Sequence, residues 1–541
     1  MKIIHQDFMS QSVPNLAYML TQNARRFPKR PALVWRDSSW SWADVDARVS
    51  ALAGALLDLG VQPGEAVLAH SKNSNEMFEA MLATFRIGAV WVPTNFRLAP
   101  DDVAYMAEVT QPRVFLCQTD FPEYADAVDR AVAGVQRVWL MGDAQPQGDS
   151  EHVSALVAAQ SGRIVPNASV QRDSACWLFF TSGTTGRPKA AVLTHGQLGY
   201  VINNHLCDLM PGSTEFDGSL VLAPLSHGAG IHQLNMIARG GATVLMPSDK
   251  FDPATAFQLI ETHGLTNLFT VPTILKMLIE DSSVDRFDHS SLRYVVYAGA
   301  PMYRQDQKLA LQKLGAVLVQ YYGLAEATGN ITVLPCREHD AGDEERRPGT
   351  CGFERTGMQV SIQDDAGNEV EPGQAGEICV IGPAVFAGYY NNPEANAKCF
   401  RNGWFRTGDL GYRDDEGYIY LTGRSSDMYI SGGSNIYPRE IEEKVLTHEA
   451  ISEVAIVGVP DPKWGEVGVA VCVLREGVQL DEAEMLEWMS SRVARYKLPK
   501  RIFFWTELPK SGYGKVPKAL VRDELRQRGL LTATGELDAQ H

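Results

Sequence analysis

CWLFFTSGTTGRPK, residues 176–189, decides the reading of the chain, because a bulky apolar run breaks there into hydroxyls, glycines and one lysine. Cys176, Trp177, Leu178, Phe179 and Phe180 show no polar alternation, the pattern of a strand covered on both faces. In the stretch that follows, Thr181, Ser182, Thr184 and Thr185 bring hydroxyl donors, while Gly183 and Gly186 let successive backbone N–H groups turn toward one anion. Lys189 adds a mobile positive charge. The spacing G-x-x-x-x-G-K-[ST] is absent, so no Walker-type fold follows from it. A surface turn of the same composition would look alike, and the rest of the chain has to separate the two.

At 541 residues the chain is too long for one growing core, and two or more domains are expected. Apolar residues make up 45% and charged residues 21%, which is the balance of a globular protein. No apolar run reaches the length of a membrane span, and MKIIHQDFMSQS lacks the apolar centre of a signal peptide, so a cytoplasmic location is expected. The 8 cysteines are scattered without a C-x-x-C pair, which argues for packed thiols rather than disulfides or a zinc site. A formal net charge of −16 speaks against nucleic acid or an anionic membrane as partner. Anionic small molecules would need local cations, and the densest group is Arg495, Lys497, Lys500, Arg501, Lys510, Lys515, Lys518 and Arg522. A solvated face explains that run equally well.

Taken in order, Ser41 and Asp44 predict a capping box for a helix through about Leu59. Strand-like runs at 66–69, 89–92, 114–117, 137–141, 176–180, 219–223, 242–246, 267–271, 293–297 and 316–320 mostly alternate with helical stretches such as 254–263 and 302–314. Alternation of this kind predicts a doubly wound, parallel α/β architecture, in which ligands sit beyond the carboxyl ends of strands. Four polar loops are placed there, after strands 176–180, 219–223, 293–297 and 316–320, and are read as one edge carrying a site. Beyond residue 335 the texture becomes short strands broken by Gly and Pro, a β subdomain. GRSSDMYISGGS, 423–434, reads as a hinge before a compact C-terminal domain with strands at 454–459, 467–474 and 501–505 and a helix from Asp481 to about Arg495. Residues 529–541 lack periodicity and are expected to fray.

The loops, in this order, resemble the adenylate-forming superfamily of acyl-CoA synthetases, peptide-synthetase adenylation domains and beetle luciferases. The likeness runs from about residue 15 to 525 through FTSGTTGRPK (180–189), PLSHGAG (224–230), AGAP (298–301), YYGLAE (321–326), GEI (376–378), GWFRTGDLG (403–411), GRSSDMYISGGSNIYPREIE (423–442) and PKSGYGK (509–515). The resemblance implies a carboxylate attacking the α-phosphorus of ATP to give an acyl-adenylate and pyrophosphate, after which a thiol displaces AMP. It assigns Thr181, Ser182, Gly183, Thr184, Thr185 and Lys189 to the phosphates, and Glu326 to Mg²⁺, a cation that favours oxygen ligands. Ala298, Gly299, Ala300 and Pro301 would line the adenine, with Tyr322 stacked on it beside Gly323. Asp409 would accept the ribose hydroxyls, Arg424 would lie by ribose and phosphate, and Lys515 would be the catalytic lysine brought in by the C-terminal domain. His227 and Gly228 would border the acyl pocket, His227 as a packing residue rather than a general base.

Four positions depart from the family pattern: Ala325 stands where a hydroxyl residue precedes the magnesium glutamate, Ser426 precedes Asp427 at the hinge, and Ala190 and Ala191 follow the loop lysine. Gly432 and Gly433, before Asn435-Ile436-Tyr437-Pro438, resemble the loop facing the pantetheine channel of acyl- and aryl-CoA synthetases, which implies coenzyme A as acceptor. The expectation is therefore an acid–thiol ligase with ATP, Mg²⁺ and coenzyme A, acting on a medium-size fatty or aromatic monocarboxylate. Loading of a carrier protein and luciferase-like oxygenation stay open as alternatives. The expected fold is α/β: an N-terminal domain, 1–424, of doubly wound subdomains plus a β subdomain, and a small mobile α+β lid, 425–541. A homodimer is compatible with this layout but not required by it.

Overall fold

The computed structural model describes residues 11–144, 151–181, 187–300, 302–340, 342, 347–510, 516–532 and 534–538. Ser182, Gly183, Thr184, Thr185, Pro301 and Lys515 lie outside these residues. Two sheets carry the larger part of the chain. In the six-stranded sheet the order is Lys189–Thr194, Ala175–Thr181, Val90–Thr94, Ala66–His70, Val114–Gln118 and Gln136–Leu140. Its four successive neighbours from Val90–Thr94 to Gln136–Leu140 run parallel, as the buried apolar runs demand. The nine-stranded sheet is parallel from Pro31–Trp35 through Ala242–Leu245, Gly218–Val221, Asn267–Thr270 and Tyr294–Tyr297 to Leu318–Tyr322, with antiparallel strands at both edges.

This layout corrects the expectation of four loops on one edge. Strand Ala175–Thr181 belongs to the first sheet, whereas Gly218–Val221, Tyr294–Tyr297 and Leu318–Tyr322 belong to the second. The loop after Phe180 also closes a hairpin, since Lys189–Thr194 returns antiparallel with Lys189 opposite Thr181. Strand 316–320 is shifted to Leu318–Tyr322, which draws Tyr321 and Tyr322 into the ladder. Trp177 pairs with Trp91 across the first sheet and both rings are buried in the main core. Burying one side chain of this size contributes about 2–3 kcal/mol, so the strand feeding the loop is firmly anchored.

Capping settles where several helices begin. Ser41 accepts from the Asp44 N–H while the Asp44 carboxylate accepts from the Ser41 N–H, which starts helix Trp42–Asp58. Asp481 and Glu484 do the same for helix Glu482–Ser490. That helix stops five residues before the expected Arg495 (495 against 490). Ser490 and Ser491 turn their hydroxyls onto the Glu487 and Trp488 carbonyls, competing with the helical ladder, and Val493 reaches the core from the turn that follows.

A five-stranded antiparallel sheet, with Trp404–Arg413 between Gly376–Ile381 and Ile419–Arg424, forms the β part beyond residue 335. A second five-stranded sheet, built on Gly465–Leu474, begins at Tyr429 and has its own apolar clusters. Its basic residues are largely paired: Lys497 with Glu440 at 2.6 Å, Lys500 with Asp461 at 2.7 Å, Arg501 with Glu482 at 2.8 Å and Lys518 with buried Glu442. The cationic run is therefore mostly neutralised by its own domain. Against the expectation of fraying, the described part of the tail, 529–532 and 534–538, is held: Leu531 is buried, Thr532 N–H donates to Glu536 O at 2.8 Å and Asp538 N–H to Leu530 O at 3.1 Å. All eight cysteines are free thiols and five of them are buried. No helix among the described residues is long and apolar enough to cross a membrane.

One buried carboxyl gives a test of this packing. Glu76 is 2% exposed, and burial raises its pKa from 4.5 to about 7, although its Oε2 accepts the Met141 N–H at 2.6 Å. The folded group holds its proton longer than the unfolded one, so stability falls as the pH rises from about 4.5 to about 7. Glu76→Gln keeps an acceptor for Met141 and removes that cost. Its thermal midpoint is expected to exceed the parent's at pH 8, by a stability gain of up to about 3 kcal/mol, and to match it at pH 4.5 and below. An equal shift at both pH values would contradict the assignment.

Candidate active site

The first group gathers on Glu326. This residue sits in the single turn Ala325–Ala327, 8% exposed, and its backbone carbonyl accepts the Phe386 N–H at 2.7 Å. Thr181, at the end of its strand, donates from Oγ1 to Glu326 Oε1 at 3.4 Å, and Tyr389 donates its hydroxyl to the same oxygen at 2.8 Å. Residues 387–390 are strapped to the hairpin strand by Ala387 N–H to Val192 O at 3.0 Å and Tyr390 N–H to Ala190 O at 2.8 Å. Lys189 places its Nζ 5.3 Å from the Tyr389 ring centroid. Burial and the adjacent Glu326 carboxylate push the Tyr389 phenol upward, so it stays a donor. The loop lysine, the end of its strand and the glutamate are thus brought together through a tyrosine that no sequence pattern singled out.

A second group forms around Asp409. Tyr322, buried, donates its hydroxyl to Asp409 Oδ2 at 2.7 Å, and Arg424 Nε lies 3.0 Å from Oδ1. Antiparallel register sets Asp409 opposite Arg424 on neighbouring strands, and the Asp409 N–H is held by Thr407 Oγ1 at 3.0 Å. The Asp409 charge raises the Arg424 pKa, with contributions from Tyr322 and Glu326, which places the two groups within one electrostatic field. Burial and Asp409 likewise push the Tyr322 phenol up. Ala298 is buried at the end of Tyr294–Tyr297 with its N–H on Thr270 O, Gly299 follows at φ +84°, and Ala300 is half-buried. A side chain on Gly323 would strike the Gly329 backbone, so the chain folds tightly back between Tyr322 and the Glu326 turn.

The third group is a wall of rings. Helix Gly228–Arg239 begins at the end of the 224–228 loop, and His227 meets Phe179 edge-on at 5.0 Å while its Nδ1 lies 3.0 Å from Ser226 Oγ. A Cβ on Gly228 would stand 3.0 Å from the Phe269 ring and 3.7 Å from the Tyr321 hydroxyl. Phe269 and Tyr321 stack at 6.0 Å. His227 is thereby placed as a packed ring beside this wall. Gly432 and Gly433 are set apart from these groups, at the tip of the hairpin Tyr429–Ser431/Ser434–Ile436, at φ +56° and +82°. The Gly432 N–H donates to Trp464 O at 2.8 Å, and the half-exposed Trp464 ring lies against it.

Residues 20–390 match the AMP-binding enzyme family and residues 440–515 match the AMP-binding enzyme C-terminal domain. Feruloyl-CoA synthase of Amycolatopsis sp is 36% identical over 504 residues, spanning 93% of this chain and 97% of its own. Indoleacetate–CoA ligase of Aromatoleum aromaticum is 36% identical over 521 residues, 96% of this chain and 100% of the relative. Among solved structures, ATP-bound MatB from Rhodopseudomonas palustris superposes with a TM-score of 0.84 at 29% identity, covering 95% of this chain and 99% of that one. The chain belongs to the AMP-binding, adenylate-forming enzyme family.

Tyr322 tests how the Asp409 group is held. Tyr322→Phe keeps the ring and removes the donor from a buried carboxylate, a loss of about 1.5–3 kcal/mol for a hydrogen bond to a charged group. The expected result is a lowered denaturant midpoint for the large domain with an unchanged slope. An unchanged midpoint would show that the bond contributes no net stability.

Proposed function

We propose that this chain is an ATP-dependent CoA ligase that activates an aromatic monocarboxylic acid as its acyl-adenylate and passes the acyl group to coenzyme A. The observation that carries the reading is the set of three groups: Thr181 and Tyr389 on Glu326, Tyr322 and Arg424 on Asp409, and rings lining a wall at Gly228. The ring wall favours a planar acid over a long flexible one, because stacked and edge-on ring contacts reward flat apolar surfaces.

Two anions have to meet in this reaction, so positioning and charge neutralisation matter more than a nucleophilic side chain. Thr181, the loop 182–185 and Lys189 bind the β- and γ-phosphates. Asp409 accepts from the ribose hydroxyls with two oxygens whose directions are set by Tyr322 and Arg424. Ala298, Gly299, Ala300 and Pro301 leave room for the adenine. The buried Glu326 carboxylate, with the Thr181 hydroxyl beside it, has the hard oxygen chemistry that suits Mg²⁺. Among the described residues no cluster of three or more metal-ligating side chains occurs, so phosphate and water would supply the other ligands. Such an ion would neutralise charge on the ATP phosphates. Lys515 reaches the carboxylate and α-phosphate oxygens when the C-terminal domain, residues 425–541, closes over the large domain, residues 1–424. The four residues between strands Ile419–Arg424 and Tyr429–Ser431 serve as the pivot. Gly432 and Gly433 then face the pantetheine arm in a second arrangement, with the Trp464 ring beside them. Ala325 leaves one hydroxyl fewer at the phosphates, and the Thr181 hydroxyl stands on the same glutamate.

The direct test is a panel of ferulate, indole-3-acetate, benzoate, octanoate and palmitate, each with ATP and coenzyme A, read as thioester and AMP. Thioester from the ring acids at rates well above the fatty acids is expected; preference for the fatty acids would overturn the aromatic reading. The lysine separates the two half-reactions. Lys515→Ala is expected to slow pyrophosphate release from acid and ATP by about 10²-fold or more, the cost of deleting one preorganised donor, and to leave thioester formation from synthetic acyl-adenylate nearly unchanged. Equal losses in both steps would contradict its role.

A further inference from the structure

The acyl-side loop does not hold its own shape. After strand Gly218–Val221 the chain runs Leu222-Ala223-Pro224-Leu225-Ser226-His227, and Pro224 has no N–H to donate. The flanking polar groups are met by a residue from the other sheet: Asn73 Nδ2 donates to Ala223 O at 2.9 Å, and the Leu225 N–H donates to Asn73 Oδ1 at 2.8 Å. One side-chain amide thus pairs with this segment as a neighbouring strand would.

Asn73 is itself immobilised. It lies between strand Ala66–His70 and helix Asn75–Arg86, whose N-cap Ser74 accepts from the Met77 N–H. On its other side, the Lys72 N–H donates to Gln118 Oε1 at 2.9 Å, and Lys72 Nζ lies 3.5 Å from both Asp120 and Asp249. Asp249 follows the second-sheet strand Ala242–Leu245, so residues 72 and 73 both reach across the gap between sheets.

The position of Leu225 is passed on without slack. A Cβ on Gly230 would collide with the Leu225 carbonyl oxygen and stand 2.9 Å from the Trp177 ring. Gly230 N–H donates to His227 O at 2.9 Å, and His227 N–H to Pro224 O at 3.1 Å. A shift of Leu225 therefore moves His227, Gly228 and the start of helix Gly228–Arg239 together.

We propose that Asn73 is a positioning residue for the carboxylic acid: by clamping Ala223 and Leu225 to the first sheet it fixes the His227–Gly228 wall against which the acid lies. The proposal rests on the reading of residues 224–228 as a wall of the acyl pocket. Asn73 touches neither substrate in this account and acts through the loop.

The test uses the full-length enzyme with Asn73→Ala, which loses both bonds, and Asn73→Asp, which keeps the acceptor for Leu225 and turns a second acceptor on Ala223 O. Pyrophosphate exchange into ATP gives KM for ferulate, for indole-3-acetate and for ATP separately, and backbone deuterium uptake of peptides covering 220–230 reports the clamp without any substrate. Both variants are expected to take up deuterium faster in those peptides and to raise KM for the acids about 10-fold, the equivalent of one to two lost hydrogen bonds, with KM for ATP within about 2-fold of the parent. Unchanged uptake in both variants would overturn the clamp. Faster uptake with unchanged acid KM would overturn the positioning role and place the fault in the reading of 224–228 as pocket wall. Parallel increases in acid and ATP KM would also overturn it, since a general loss of structure does not distinguish the substrates.

Discussion

The bond from the Tyr322 hydroxyl to Asp409 ties together distant parts of the chain, beside the backbone bonds of Cys351 and Gly352 to Ile419 and a shared apolar core. Tyr322 ends a parallel strand of the nine-stranded sheet, and Asp409 lies within an antiparallel strand of the β subdomain, 87 residues further on. A buried carboxylate without partners would cost several kcal/mol, so the two sheets are constrained to meet where the phenol and Arg424 can satisfy it. The same constraint places the Glu326 turn, because the chain folds straight back from Tyr322 through Gly323 and Gly329. The Asp409 and Glu326 groups thus share one anchor.

Electrostatics follow from this geometry rather than from net charge. The chain is acidic, and most cations of the C-terminal sheet are spent on neighbouring carboxylates. Lys189 is different: its ammonium rests near a tyrosine ring, an interaction weaker than a buried ion pair and easily exchanged for phosphate oxygens. Arg424 is oriented by Asp409, which also raises its pKa further.

The parallel strands and their order of appearance were legible because they are local: buried apolar runs of β length, several of them ended by Gly or Pro. Capping at Ser41 and the start of a helix at Asp481 were legible for the same reason. What sequence reasoning missed is long-range. That Ala175–Thr181 and Leu318–Tyr322 lie in different sheets depends on pairing, which composition does not encode. Tyr389 carries no pattern of its own, and its bond to Glu326 spans 63 residues. Asn73 reads as a turn residue before a helix, and only its distance from Ala223 shows that it completes another loop. The expected helix to Arg495 failed at Ser490-Ser491 although its apolar spacing was real, since Val493 is buried from a turn. The tail packs through Leu530, Leu531 and Leu537, too sparse a signal to detect by periodicity.

The central claim is that a carboxylate oxygen attacks the α-phosphorus within this site, and oxygen tracing reads it directly. Ferulate labelled with ¹⁸O in both carboxyl oxygens, incubated with the enzyme, ATP and coenzyme A, is predicted to yield AMP carrying one ¹⁸O and unlabelled pyrophosphate. Label in inorganic phosphate, or thioester formed with unlabelled AMP, would contradict the account.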